Sequence, residues 1–152
     1  MISCQQLLQY IYITPTSQES ENSALFKWLS EYWHQFLFQP DDELAVNIFE
    51  SCMAKDVTVK INHDHVPREV YFGYITSTRA AHDLTLLNQE KLKVWEAPGG
   101  GRSIVYKGEL MYSDKKTGGK QNGVVVMIAD IRKGEAGNFT IVQSTEVVTR
   151  SG

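Results

Sequence analysis

Amphipathic helical segments come first in this chain, and from residue 84 onward it is built of long alternating segments separated by glycine-bearing turns. That order constrains the fold more than any other feature. Helices that precede a β-meander must bury their apolar stripes on one face of it, and a curved sheet covered in this way encloses a hollow. The expected architecture is α+β and cone-shaped, with N-terminal helices packed on a strongly bent, mainly antiparallel sheet.

The individual elements follow from periodicity. Leu25, Trp28, Leu29, Tyr32, Trp33, Phe36 and Leu37 recur at three- and four-residue steps and predict a helix over Ala24 to Phe38. Gln39-Pro40-Asp41-Asp42 stops it and caps a second helix marked by Leu44, Ile48, Phe49 and Met53. Val57, Val59 and Ile61 alternate with polar residues, so Asp56 to Asn62 reads as a half-buried strand, and its continuation would give His63 the buried side. After Pro67, Arg68 to His82 has helical spacing despite Gly73 and several β-branched residues. Leu84 to Ala97, Ser103 to Ser113, Gly123 to Arg132 and Asn138 to Thr149 read as strands joined by glycine hairpins.

The length of 152 residues fits a single domain over 1–152, with a leader over 1–22 and the cone over 23–149. A net charge of -3 gives no basic surface for tracking phosphates, so nucleic acid is not an expected partner. Met1 to Ile13 is too short and too rich in glutamine to span a bilayer, and no membrane partner is expected; the expected location is cytoplasmic. Cys4 and Cys52 form no redox or zinc motif and are expected to be free thiols. Serine-hydrolase elbows, phosphate loops and dinucleotide fingerprints are absent, and Gly99-Gly100-Gly101-Arg102 joins strands without a helix to hold phosphate.

Three stretches carry a resemblance to a known family: Phe49 to Val59, the turn Gly134 to Gly137, and Phe139 to Glu146. With the order helix, helix, strand, helix, meander, they make the chain similar to the nuclear transport factor 2-like superfamily, and within it to the SnoaL-like proteins. The resemblance implies a cystatin-like roll, homodimeric through its outer sheet face. Members isomerise steroids, cyclise polyketides, dehydrate scytalone or open epoxides, while others only bind or scaffold. Fold alone does not choose among these activities.

Candidate chemistry rests on a few side chains. His63, at the end of the first strand, resembles the position of the base in ketosteroid isomerase-like enzymes, and its imidazole titrates near neutral pH. The bland alternative for His63, Asp64 and His65 is a solvated strand end, and a metal site on the two histidines has no evident third ligand, so no metal is expected. Asp130 interrupts an apolar run and suits a general acid, unless it faces outward and pairs with Arg132. Glu146 resembles the acidic residue that often ends the SnoaL-like pattern; the alternative is an outer-face or interface glutamate. Tyr32 resembles the oxyanion-stabilising tyrosine of several family enzymes. Trp33, Tyr71, Tyr74, Trp95 and Tyr106, with His65, would wall the substrate pocket; the alternative for any single aromatic is simple core packing.

The expected function is a small cofactor-independent isomerase, cyclase or dehydratase acting on an apolar, oxygenated, polyketide- or terpenoid-like molecule. His63 would be the base, Asp130 or Glu146 the acid, and Tyr32 the carbonyl polariser. The alternative is a non-catalytic dimeric module of the same fold, binding a ligand or a protein.

Overall fold

A computed structural model describes residues 18–98 and 100–151, with side chains described from residue 24 onward. Helix α1 spans Gln18–Trp33 and runs on into a π-helical turn, His34–Phe38. Helix α2 is Asp42–Cys52, β1 is Met53–Ile61, β2 is Asp64–Val66 and α3 is Arg68–Ala81. The meander follows as β3 His82–Glu96, β4 Gly101–Asp114, β5 Lys120–Lys133 and β6 Phe139–Ser151. Most of the expected leader lies outside the described residues, and residues 18–22 are already helical.

The six strands form one sheet in the order β2-β1-β6-β5-β4-β3. All pairs are antiparallel except β1 with β6, which closes the sheet in parallel and makes it mixed. Strands of thirteen to fifteen residues cannot stay flat against short helices, and the register shifts at Leu86/Asn88 and Lys91/Lys93 in β3 and at Asp130/Ile131 in β5 are where the sheet bends. The helices fill the inner face. Leu25, Leu29, Tyr32 and Phe36 meet Ile48, Phe49, Met127, Ala129 and Ile141 in one core.

Local chemistry explains the joints. The Asp41 carboxylate accepts from the Leu44 N–H at 3.0 Å and caps α2. The carbonyl of Phe36, in the middle of the π-turn, accepts from Arg79 Nη1 at 3.0 Å, and the same buried guanidinium donates through Nε and Nη2 to Asp42 Oδ1. Arg79 thus ties α3 to both sides of the Gln39-Pro40 turn. Arg68, also buried, lies 4.4 Å over the Phe49 ring and donates to the Ala54 carbonyl at the junction of α2 and β1.

Cys52 departs from expectation: it is disulfide-bonded and not a free thiol. Cys4 lies outside the described residues. Among the described residues no helix is long and apolar enough to cross a membrane.

Candidate functional site

A cavity of about 390 Å³ opens between α3, the π-turn and the inner face of the sheet. Its wall is mainly apolar: Leu37, Phe38, Ile61, Ile75, Leu84, Leu110 and Val125 line it, with Trp33, Tyr71, Tyr74, Tyr106 and Tyr112. Glu146 is set into that wall. The cavity's volume falls within the range usual for pockets that hold small molecules.

Strand alternation and one bulge place the carboxylate. In β6 the register shift opposite Asp130/Ile131 leaves Val142 as the extra residue, after which Ser144, Glu146 and Val148 face inward and Gln143, Thr145 and Val147 outward. Glu146 is only 5% exposed. Tyr71 Oη, from α3, and Ser144 Oγ, two residues back on the same face, each donate to Glu146 Oε1 at 2.9 Å. Among the described residues no donor reaches Oε2. Burial pushes the Glu146 carboxyl above its usual range, and the hydroxyls of Ser144 and Tyr71 pull against that shift.

The surrounding phenols respond to the same environment. Burial, and then the charge of Glu146, hold Tyr71 and Tyr32 well above the ordinary tyrosine value. Tyr106 is pushed up to about 12 by burial. All three phenols therefore stay protonated near neutral pH. Tyr71 and Tyr106 donate that proton in hydrogen bonds, to Glu146 and Gln89, and none of the three is a base.

The expected site residues divide. Glu146, Trp33, Tyr71, Tyr74 and Tyr106 line the cavity together. Tyr32 is fully buried behind that wall, its hydroxyl without a hydrogen-bond partner among the described residues and its ring packed between Trp28 and Phe36. His63 is not brought to the cavity. β1 ends at Ile61, Asn62 takes a left-handed φ of 56°, and the chain doubles back into β2 with His63 exposed at the turn and His65 exposed opposite Lys60. Asp130 points the other way too: it belongs to the outer face, where Ser103 Oγ donates to its carboxylate, and Trp95 sits in the same cross-strand row, 58% exposed. Among the described residues no group of three or more histidine, cysteine or acidic side chains is placed to hold a metal.

Several participants escaped the sequence reading. Ser144 stands two residues before Glu146, and that spacing is the signal for a shared face. Arg150 continues that row to the cavity mouth, where its guanidinium carbon lies 4.2 Å from the centre of the Tyr112 ring. Asn62, the first residue of the histidine stretch, grips β6: its N–H donates to the Glu146 carbonyl at 2.8 Å and its Oδ1 accepts from the Val148 N–H at 3.0 Å.

No protein-family model and no curated protein matches the sequence. Solved structures do match. A conserved protein from Planctomyces limnophilus aligns at a TM-score of 0.72 with 9% identity, covering 88% of this chain and 100% of that one. A ketosteroid isomerase-like protein from Erwinia carotovora atroseptica aligns at 0.63 with 12% identity, covering 88% and 98%. A type 2 hexachlorocyclohexane dehydrochlorinase, LinA, aligns at 0.63 with 8% identity, covering 89% and 94%. Others are NTF2-like proteins from Rhodospirillum rubrum and Salmonella enterica. With its helices on the inner face of a bent six-stranded sheet, the chain has the nuclear transport factor 2-like fold.

Proposed function

We propose that this protein is a cofactor-independent enzyme of the isomerase, cyclase or lyase kind, transferring a proton within an apolar, oxygenated small molecule of polyketide or terpenoid character. One observation carries the reading: a buried carboxyl in a mainly apolar cavity, with both hydroxyl donors on Oε1 and, among the described residues, none on Oε2. Oε2 is the oxygen left to exchange a proton with a ligand. Tyr71 and Ser144 fix the carboxylate plane, and burial raises its basicity toward that of a useful general base. Glu146 thus takes the base's place expected of His63. Tyr74 and Tyr112 bring phenols to the cavity lining, where one could donate to a substrate oxygen as negative charge develops, while the Tyr106 hydroxyl donates to Gln89. The ketosteroid isomerase-like protein and the dehydrochlorinase among the structural neighbours support this class of chemistry.

Hydrogen–deuterium exchange tests it without knowledge of the product. A panel of β,γ-unsaturated cyclic ketones and vicinal hydroxyketones is incubated in D2O with the protein, and loss of the C–H signal is followed by NMR. Exchange above the buffer rate, slowed about 10²–10⁴-fold by Glu146→Gln, is expected. Exchange no faster than buffer across the panel, or unchanged in the variant, overturns the reading.

A further inference from the structure

Resting on the reading that this cavity takes an apolar small molecule, we propose that its natural ligand is an amphipathic organic acid whose carboxylate is held at the cavity mouth by Arg150. Among the described residues Glu146 and Arg150 are the two charged side chains in the lining. They share one face of β6 with Val148 between them. Four residues of strand separate them by roughly 13 Å, with the apolar wall in between. A ligand that reaches Glu146 with a reacting carbon and ends in an anion would meet opposite electrostatic needs at its two ends. The carboxylate would lie far from the like charge of Glu146 and beside the cation.

The cation is placed, not merely exposed. Arg150 pairs across the sheet with Gly123, and a Cβ on Gly123 would fall 2.7 Å from Tyr112 Cε2. The missing side chain is what admits the Tyr112 ring, and Arg150 stacks on that ring. The imidazole of His82 meets Tyr112 edge-on, with ring centres 5.9 Å apart. Stacking on an aromatic leaves the edge of a guanidinium, with its N–H groups, free for a planar carboxylate. Among the described residues no acidic side chain forms an ion pair with Arg150.

The test compares 4-phenylbutanoate with the neutral 4-phenylbutanol by calorimetric or NMR titration at low salt. The protein should bind the acid about 10-fold more tightly, and added salt should weaken only the acid. Arg150→Gln should erase the preference and leave the alcohol unchanged, whereas Arg150→Lys should retain part of it. Glu146→Gln should leave the preference intact. Equal affinity for the two probes, or a preference that survives Arg150→Gln, overturns the anionic end while leaving the proton-transfer reading standing. Binding of neither probe overturns the proposal together with its premise about the cavity.

Discussion

The backbone N–H of Asn62 donates to the carbonyl of Glu146, so the residue that turns the chain out of β1 also fixes the strand that carries the buried carboxylate. The turn needs a positive φ, which asparagine tolerates better than most residues. Its side chain then accepts from Val148, one residue past Val147 and on the cavity side of β6. The parallel pairing Ile61↔Glu146 thus ends in a clamp that spans Glu146 to Val148.

Replacing Asn62 separates the two contributions. Asn62→Gly keeps the left-handed backbone and loses the bond to Val148, costing about 1 kcal/mol of stability. Asn62→Ala loses the bond and adds the strain of a β-carbon at positive φ, costing about 2 kcal/mol. Chemical denaturation measures both, and equal stability of the two variants would refute the backbone part.

Glu146 makes stability depend on pH in a stated direction. Its carboxyl titrates higher in the fold than in the unfolded chain, because burial outweighs the hydroxyls of Ser144 and Tyr71. The folded state therefore holds a proton that the unfolded state releases. Stability from this group is fully present below the unfolded carboxylate pKa and is lost as pH rises through the folded one. Glu146→Gln, which keeps an acceptor for both hydroxyls, should be the more stable protein at pH 8 by on the order of 1–3 kcal/mol. The difference should vanish near pH 3. Thermal melts across that range check it, and a gain that grows toward acid would contradict the assignment.

Two glycines give opposite results on methylation. Gly123→Ala places a β-carbon 2.7 Å from the Tyr112 ring and 3.2 Å from the Thr149 carbonyl, in the middle of the sheet. It should cost about 1–3 kcal/mol and displace Tyr112 from the cavity. Gly73→Ala meets nothing within 4 Å on helix α3 and should gain about 0.5–1 kcal/mol from helix propensity. Denaturation midpoints of the pair read this out directly.

Much of the architecture was legible because periodicity reports which face is buried. The stripe Leu25, Leu29, Tyr32, Phe36 and the alternation of Ile104, Tyr106, Leu110 and Tyr112 are what the core contains. The parallel closure of β1 on β6 was not legible, since nothing in either strand names a partner so distant along the chain. Nor was the π-turn, whose carbonyl is satisfied by an arginine from another helix. Glu146 was a candidate with two faces open to it, and only the bulge at Val142 and the Tyr71 hydroxyl decide between them. His63 was misplaced by a single backbone angle at Asn62, because a strand read past its turn assigns every later side chain to the wrong surface. For Asp130 the outward face was the alternative left open, and it is the one adopted: both faces of β5 carry hydrophobic residues, so parity and not hydropathy settles its side.

That doubly apolar strand has a consequence for assembly. On the outer face of the sheet Ile128 is 47% and Val147 53% exposed, and Val105 pairs directly with Ile128 in the same row. Apolar residues gathered on the open side of a sheet favour a partner over water. We expect a homodimer through this face, the arrangement implied by the family resemblance. Ile128→Lys should convert it to a monomer, since an ammonium at the centre of an isologous interface meets its own copy across the two-fold axis. The substitution is on the side away from the cavity, so ligand affinity per chain should persist. Sedimentation equilibrium gives the mass of each form. A monomeric parent protein, or a dimer that survives the lysine, would remove the outer face from consideration as the interface.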